Sequence, residues 1–502
     1  PSSAPNSSAP KPKQEASASG NRGVRSSGWL GRMRAFTMQA QGAAPGRVAA
    51  GPRAATRSGV PSAAAGFCSR ARLAPLRMSS SQAQPRIERR RRRFAAVAAA
   101  AEASSARTEV EASGESSGEP EAGLEASPLA KEVAVARVAV RLAAQLCQRV
   151  QAGLMRAETT ADTKADRSLV TVADYATQAL ISWCLAQELG EEVRMVAEED
   201  SDALTSGGEG GFDMLRQITE AVNEALAAAD GSLPGGHDTP PVLDGEEVLK
   251  AIDRGGFAGG KEGRHWVLDP VDGTLGFVRG DQYAIALALV EDGEVVLGAL
   301  GCPNMPASEN VIEYEESYTY GYTPAQVSRM LAGANNYWTK GCLFTAVKGF
   351  GCYQEPMDLA STVKGKRVTV TEACGAEARF CEPVMKANSS QGFTASVATK
   401  LGITSKPLRV YSQVKYGSVA RGDAEVFMKF PKAGYREKSW DHAAGVIIVE
   451  EAGGMVSDAS GKPLDLSGRY IDGLDRGIVA STTTIADGLL NAVAESWESS
   501  QL

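Results

Sequence analysis

Three acidic segments, far apart along a 502-residue chain, constrain its fold more than any other feature. Glu198-Glu199 comes first. Trp266-Val267-Leu268-Asp269-Pro270-Val271-Asp272-Gly273-Thr274 follows, and Trp440-Asp441-His442-Ala443-Ala444-Gly445 comes last. Carboxylates gathered in one fold repel one another unless a cation neutralises them. Hard oxygen ligands of this kind suit Mg²⁺, which binds through a few carboxylates and a substrate phosphate. The segments therefore point to metal-dependent phosphate chemistry.

The length allows two or three domains. The formal net charge of -7 hides an asymmetry, because the N-terminal part is basic and the remainder correspondingly more acidic. An acidic body argues against nucleic acid as a partner, since phosphate contacts need a basic face. No apolar run approaches the ~20 residues that cross a bilayer, so no membrane partner is expected. The eight cysteines are scattered without a CxxC pair, which argues against zinc and for reduced, buried thiols. Oligomeric state is not legible.

Residues 1–127 read as a disordered segment. They are rich in Ala, Ser, Gly, Pro and Arg, and bury too little apolar surface to offset the entropy of ordering. No Asp or Glu occurs between Ala16 and Ile87. Arg-rich and acid-poor is the composition of an organellar transit peptide, directing the chain to a plastid or mitochondrion. The alternative is a plain tail, or sequence translated from upstream, on a cytoplasmic protein. The folded part is expected from Pro128, as an N-terminal α+β sub-domain (128–306), an insertion (307–340) and a C-terminal α/β sub-domain (341–502).

Apolar spacing predicts a helix over Leu129–Ala152 stopped by Gly153, and a second helix after Asp174. Glu192–Ala197 and His265–Asp269 read as strands. The stretch from Ser201 to Gly263 reads as partly helical (Met214–Ala227) and then as an exposed, Gly/Pro/Asp-rich insertion. Asp292-Gly293 is a hairpin turn between Tyr283–Val290 and Glu294–Leu300. Val446–Glu451 and Met455–Asp458 close the pattern, and the mixture implies α+β or α/β layers.

In Asp269–Thr274, Pro270 and Gly273 set a tight turn. It can aim both carboxylates one way and leave the amides of Gly273 and Thr274 free at a helix start, an anion site. By itself the segment fits an ordinary strand–turn–helix equally well. Asp441 stands where an N-cap is expected, and alone that is its simpler role. Glu198-Glu199 alone reads as surface charge just as well. His442 reads as a structural hydrogen-bonding residue.

Together the segments resemble the inositol monophosphatase superfamily, Mg²⁺-dependent and Li⁺-sensitive phosphatases. Its T-x-x-D, E-E, D-P-[ILV]-D-[GS]-T and W-D-x-x-x-G motifs appear in order as Thr171–Asp174, Glu198-Glu199, Asp269–Thr274 and Trp440–Gly445. The resemblance implies a layered α/β sandwich of two sub-domains with the metal site between them. It further implies that Glu198, Asp269, Asp272, Asp441 and the Val271 carbonyl hold two or three Mg²⁺. Asp174 and Thr274 would position and deprotonate the attacking water.

The blocks Gly263–Pro270, Arg279–Ala284, Leu300–Asn304 and Gly434–Lys438 resemble the bisphosphate nucleotidase branch, especially its plant-type members. The branch implies adenosine 3′,5′-bisphosphate as small-molecule substrate, and possible action on its sulfated analogue or on inositol phosphates. Substrate contacts would come from Gly273, Thr274, Asn388, Ser412, Lys415 and Lys429, the two lysines serving the 5′-phosphate away from the metals. Leu275, Leu169, Asn388 and Lys429 depart from the usual Lys, Pro, His and Arg, which puts nucleotide preference in question. An inositol- or sugar-phosphate phosphatase, and a catalytically silent binding protein, are the competing readings.

Overall fold

The computed structural model describes residues 123–157, 163–229, 231–237, 239–307, 340–384, 391–432 and 434–499. The expected leader upstream of Gly123, most of the 307–340 insertion and Asn388 lie outside these residues. Packing begins ahead of Pro128: Leu124–Ala126 form a 3-10 turn, and Leu124 is buried.

Helix α1 (Ala130–Ala157) runs through Gly153, the expected stop. One glycine costs a helix only about 1 kcal/mol, and the buried stripe Leu142, Leu146, Leu154 continues past it. Helix α2 (Thr163–Leu189) holds Asp174 mid-helix rather than starting after it. Its buried positions begin upstream, at Val170 and Ala173. Leu169–Leu189 is long and apolar enough to cross a membrane by length and composition, with mean hydropathy 1.3, contrary to the sequence expectation. Most of it (83%) is buried within the protein, as befits a core helix.

Strand β1 (Met195–Ala197) leads to helices α3 (Asp202–Ser206), α4 (Gly208–Ala227) and α5 (Gly245–Asp253). The expected insertion thus contains a packed helix. Asp244 accepts from the amides of Glu246 and Glu247, Glu247 reaches back to the Asp244 amide, and Val248, Ala251 and Ile252 are buried. Next come β2 (Arg264–Asp272), the short α6 (Thr274–Val278), β3 (Ala284–Glu291) and β4 (Glu294–Pro306). Asp292 and Gly293 turn the β3–β4 hairpin with φ of 48° and 85°. Strands β5 (Lys340–Val347), β6 (Gly351–Pro356) and β7 (Lys366–Val368) complete a seven-stranded sheet in sequential order. Within it β1 is parallel to β2 and the other pairs are antiparallel.

The second sheet has five strands: β8 (Phe380–Glu382), β9 (Leu408–Arg409), β10 (Val426–Lys429), β11 (Gly454–Asp458) and β12 (Ile478–Thr482). Their order is β11-β12-β10-β8-β9. The accompanying helices are α7 (Gln391–Leu401), α8 (Val414–Arg421), α9 (Ala443–Glu451) and α10 (Thr483–Ser499).

Side-chain size decides the layering. On β3, Ile285, Leu287 and Leu289 join α1 and α2 in one core. The opposite face presents Ala284, Ala286 and Ala288, which share a second core with Tyr416 of α8 and Ile447 and Ile448 of α9. Small residues on that face let α9 lie close to the sheet. Phe427 and Ala480 close the same core from the second sheet, and Val426, Met428 and Val479 face α7 and α10 beyond it. The result is helices, sheet, helices, sheet, helices. Truncating a residue such as Leu287 to Ala costs about 2–5 kcal/mol.

Candidate active site

The site forms where β1 and β2 end against the loops before α8 and α9. Pairing of β2 with β3 is regular from Arg264 to Asp269 and then shifts before Asp272. Pro270 has no N–H to give the ladder, and such a shift re-aims the side chains after it. Asp269 is buried and, among the described residues, its Oδ1 has no hydrogen-bond partner. Asp272 Oδ2 accepts from the Gln413 amide at 2.5 Å. Gly273 has φ +89°, and a Cβ there would lie 2.7 Å from Ser412 Cβ, so only glycine fits the crossing. Thr274 opens α6, with its Oγ1 3.5 Å from the Val271 carbonyl.

Ala197 of β1 registers with Leu268 of β2, which places Glu198 alongside Asp269. Gln178 pins the neighbouring residue through both backbone groups: its Oε1 accepts from Glu199 N at 3.0 Å and its Nε2 donates to Glu199 O at 2.7 Å. Tyr175 occupies the Glu199 carboxylate. Asp174 is buried on α2, which packs against both β2 and α6.

Asp441 does not take the cap position that its residue type alone suggests. His442 is the N-cap residue of α9, and its side chain makes no capping hydrogen bond. The Asp441 carboxylate meets Lys429, whose Nζ lies 3.2 Å from Asp441 Oδ2 and 2.7 Å from Glu437 Oε2. His442 is buried between Glu437 Oε2 (3.1 Å, Nε2) and the Tyr416 hydroxyl (2.7 Å, Nδ1). Burial and the Lys429 charge push its pKa down. A neutral imidazole therefore donates to Glu437 and accepts from Tyr416, a structural role. The glycine of the W-D-x-x-x-G motif serves the same end: a Cβ on Gly445 would strike the Tyr416 ring at 2.1 Å.

The carboxylates feel one another. Burial, then Asp272, Glu198 and Asp441, hold Asp269 far above the usual carboxylate range. Burial, Glu199, Asp441 and Asp272 raise Glu198 to about 7. Burial and Asp441 raise Asp272 to about 6 against the pull of Lys415 and Lys429. Burial, Glu199 and Glu198 raise Asp174 as well. Oxygen-only donors, excess negative charge and an orphaned buried oxygen fit a hard divalent cation. Glu437, Asp441 and His442 also offer ligand atoms within 4.8 Å of one another, but the Lys429 ammonium already serves that group.

A cleft of about 1290 Å³ opens beside these residues. Ser412, at φ +62°, and Lys415 line it. Lys415 is buried, bonded to Ser412 O at 2.5 Å and set over the Phe427 ring. Lys429 lies against Asp441 instead of away from the acidic cluster, because Glu437 and Asp441 both draw it in. Residues not foreseen also line the cleft: Phe393, Phe430, Trp497, Lys432, Tyr435 and Arg436. Tyr435 and Leu275 are 52% and 43% exposed at its rim. The signal for Phe430, Lys432, Tyr435 and Arg436 was a block of basic and aromatic residues just before Trp440-Asp441; nothing nearby marks Phe393 or Trp497.

The model of the inositol monophosphatase family matches residues 131–498. The chain belongs to the inositol monophosphatase family. A 3′,5′-bisphosphate nucleotidase of Arabidopsis thaliana is 48% identical over 349 residues, 68% of this chain and 89% of that relative. A 3′(2′),5′-bisphosphate nucleotidase of Oryza sativa is 43% identical over 351 residues, 69% of this chain and 89% of its own. An inositol monophosphatase structure from Zymomonas mobilis is 18% identical, covering 73% of this chain and 99% of its own, with a TM-score of 0.43.

Proposed function

We propose that the chain hydrolyses the 3′-phosphate of adenosine 3′,5′-bisphosphate to give AMP and phosphate, in a Mg²⁺-dependent reaction. One observation carries the reading: Glu198, Asp269, Asp272 and Asp441 converge, with Asp269 Oδ1 buried and unpartnered. These four carboxylates and the Val271 carbonyl would hold two or three Mg²⁺. When bound, Mg²⁺ supplies positive charge that polarises the phosphoryl oxygens and offsets charge on the leaving oxygen.

The chain does the rest. The amides of Gly273 and Thr274 orient the phosphate. Asp174 and the Thr274 hydroxyl position water and take its proton. The water oxygen bonds to phosphorus in line as the bond to the 3′-oxygen breaks, and that oxygen takes up a proton. Phe393, Phe430 and Tyr435 would give a base an apolar, aromatic side of the cleft to pack against. The exposed Lys432 would serve the 5′-phosphate, with Arg436, paired with Asp472, beside it; Lys429, paired with two acids, is poorly free to fill that role. The basic, acid-poor stretch from Ala16 to Ile87 supports delivery to a plastid or mitochondrion.

Phosphate release by the purified chain tests this across adenosine 3′,5′-bisphosphate, inositol 1-phosphate and fructose 1,6-bisphosphate. The nucleotide should have the highest kcat/KM, with release abolished by chelator. A preference for inositol 1-phosphate would overturn the substrate, and no release from any would overturn the enzyme reading.

A further inference from the structure

We infer that Arg469 is a positioning residue that ties the segment bearing Glu198 to the segment bearing Asp441, and so sets the affinity of the acidic site for a divalent cation. The inference rests on the metal-dependent reading above. Arg469 lies in the long loop between β11 and β12. Its guanidinium donates to Ala197 O at 2.9 Å and to Gly255 O at 3.0 Å. Ala197 immediately precedes Glu198, and its own N–H also bonds to Gly255 O at 3.0 Å. The same guanidinium lies 5.0 Å from the centre of the Trp440 ring, and Trp440 immediately precedes Asp441. One side chain thus touches the residue before each carboxylate, one from each sheet's side of the cleft.

The backbone around it is fastened in both directions. Gly260 N donates to Ser467 O at 2.8 Å, Ser439 N to Arg469 O at 3.1 Å, and Ile471 N to Glu437 O at 2.9 Å. Among the described residues Arg469 has no carboxylate within ion-pair distance. Its fork is spent on two carbonyls, one at the end of β1 and one in the turn after α5, and its flat face on an indole. That combination needs a planar, multi-donor cation, which lysine is not. Glu198 and Asp441 repel each other, so their spacing has to be imposed from outside the pair. Groups that orient metal-ligating side chains in this way are typically worth roughly 10–100-fold in metal affinity.

The test is Mn²⁺ binding to the full chain, followed by electron paramagnetic resonance of free Mn²⁺, alongside thermal unfolding. Arg469→Met keeps the apolar stem over Trp440 and removes the fork; Arg469→Lys keeps the charge. Both should weaken Mn²⁺ binding about tenfold or more, and raise the Mg²⁺ concentration for half-maximal phosphate release in parallel. Most of kcat should return at saturating Mg²⁺. Should Arg469→Met fail to fold, the lysine variant carries the same expectation. Wild-type Mn²⁺ affinity in a folded variant, or full rescue by lysine, overturns the inference and leaves Arg469 merely structural. A wild-type chain that binds no Mn²⁺ would instead remove the metal-dependent reading beneath it.

Discussion

Two acidic groups lie side by side in this protein and are neutralised in opposite ways. Glu198, Asp269 and Asp272 crowd together at the ends of β1 and β2, and burial and mutual repulsion drive their pKa values up. Glu437, a short distance away, is buried but holds a pKa of about 2, because His442 and Lys429 outweigh its burial. Lys429 is shifted up in turn by Asp441 and Glu437 against its own burial. One group carries its cation in the sequence; the other has to take one from solution. Asp441 stands between them and belongs to both, bonded to Lys429 and repelling Glu198 and Asp272.

The comparison breaks most visibly if a carboxylate of the first group is dispensable. Asp269→Asn should lower phosphate release by roughly 10²–10³-fold or more, the scale on which loss of one preorganised electrostatic group is felt. The fold should persist, since Asn fills the same space. Near-normal turnover in Mg²⁺ would remove Asp269 from the metal site. Ca²⁺, larger and tolerant of irregular coordination, should depress activity in Mg²⁺, and Li⁺ should as well.

Stability against pH should separate the two groups by sign. In the metal-free protein, Glu198 and Asp272 titrate near 7 and 6, above their ordinary values of 4.5 and 3.8. The native state then binds more protons than the unfolded chain between about pH 4 and 7, so stability falls as pH rises through that window. Glu437 behaves inversely: its contribution is present above pH 4.5 and is lost as pH falls towards 2. Thermal unfolding in chelator should therefore show a maximum in the mildly acidic range, and Mg²⁺ should remove the decline on its alkaline side. A flat profile from pH 5 to 7.5 in chelator would mean the first group is not crowded as described.

Lys429→Met should cost about 1–2 kcal/mol in unfolding measurements, a discounted value for charged hydrogen bonds to a partly exposed side chain. It should impair nucleotide bisphosphate and monophosphate substrates alike, because the lysine acts through Asp441. Selective loss on the bisphosphate would return Lys429 to the role of a 5′-phosphate ligand. The smallest effect belongs to Lys429→Arg. A planar fork can bond Glu437 and Asp441 together as the lysine does, so kcat/KM should change by less than about threefold.

Much of this was legible in the chain, and the failures have physical causes. The acidic motifs carried their own evidence, because charge next to apolar strands has to be explained. The β3–β4 hairpin was legible because Asp292-Gly293 supplies two positive φ angles cheaply. Taken alone, Asp441 suggested a cap, because local preference for Asp at that position says nothing of Lys429, twelve residues upstream and pulled in by Glu437. Asp174 was read as a helix start since the apolar stripe before it is short. Helix α5 was hidden by its Gly- and Pro-rich approach, although Asp244 and Glu247 spell a capping box. Gln413 was passed over because a backbone amide does the binding to Asp272, and any residue type supplies one.

The alanines of β3 have a consequence beyond packing. Ala286 and Ala288 face the helix that follows Asp441, and Ala286 is also the cross-strand partner of Asp269. A Val at either place would wedge the helix from the sheet and carry the entrance to α9 with it. Such a lineage would inherit every acid and every base unchanged and still lose its chemistry. Inherited loss of activity in this chain should therefore be sought among its smallest and most inert side chains as well as among its carboxylates.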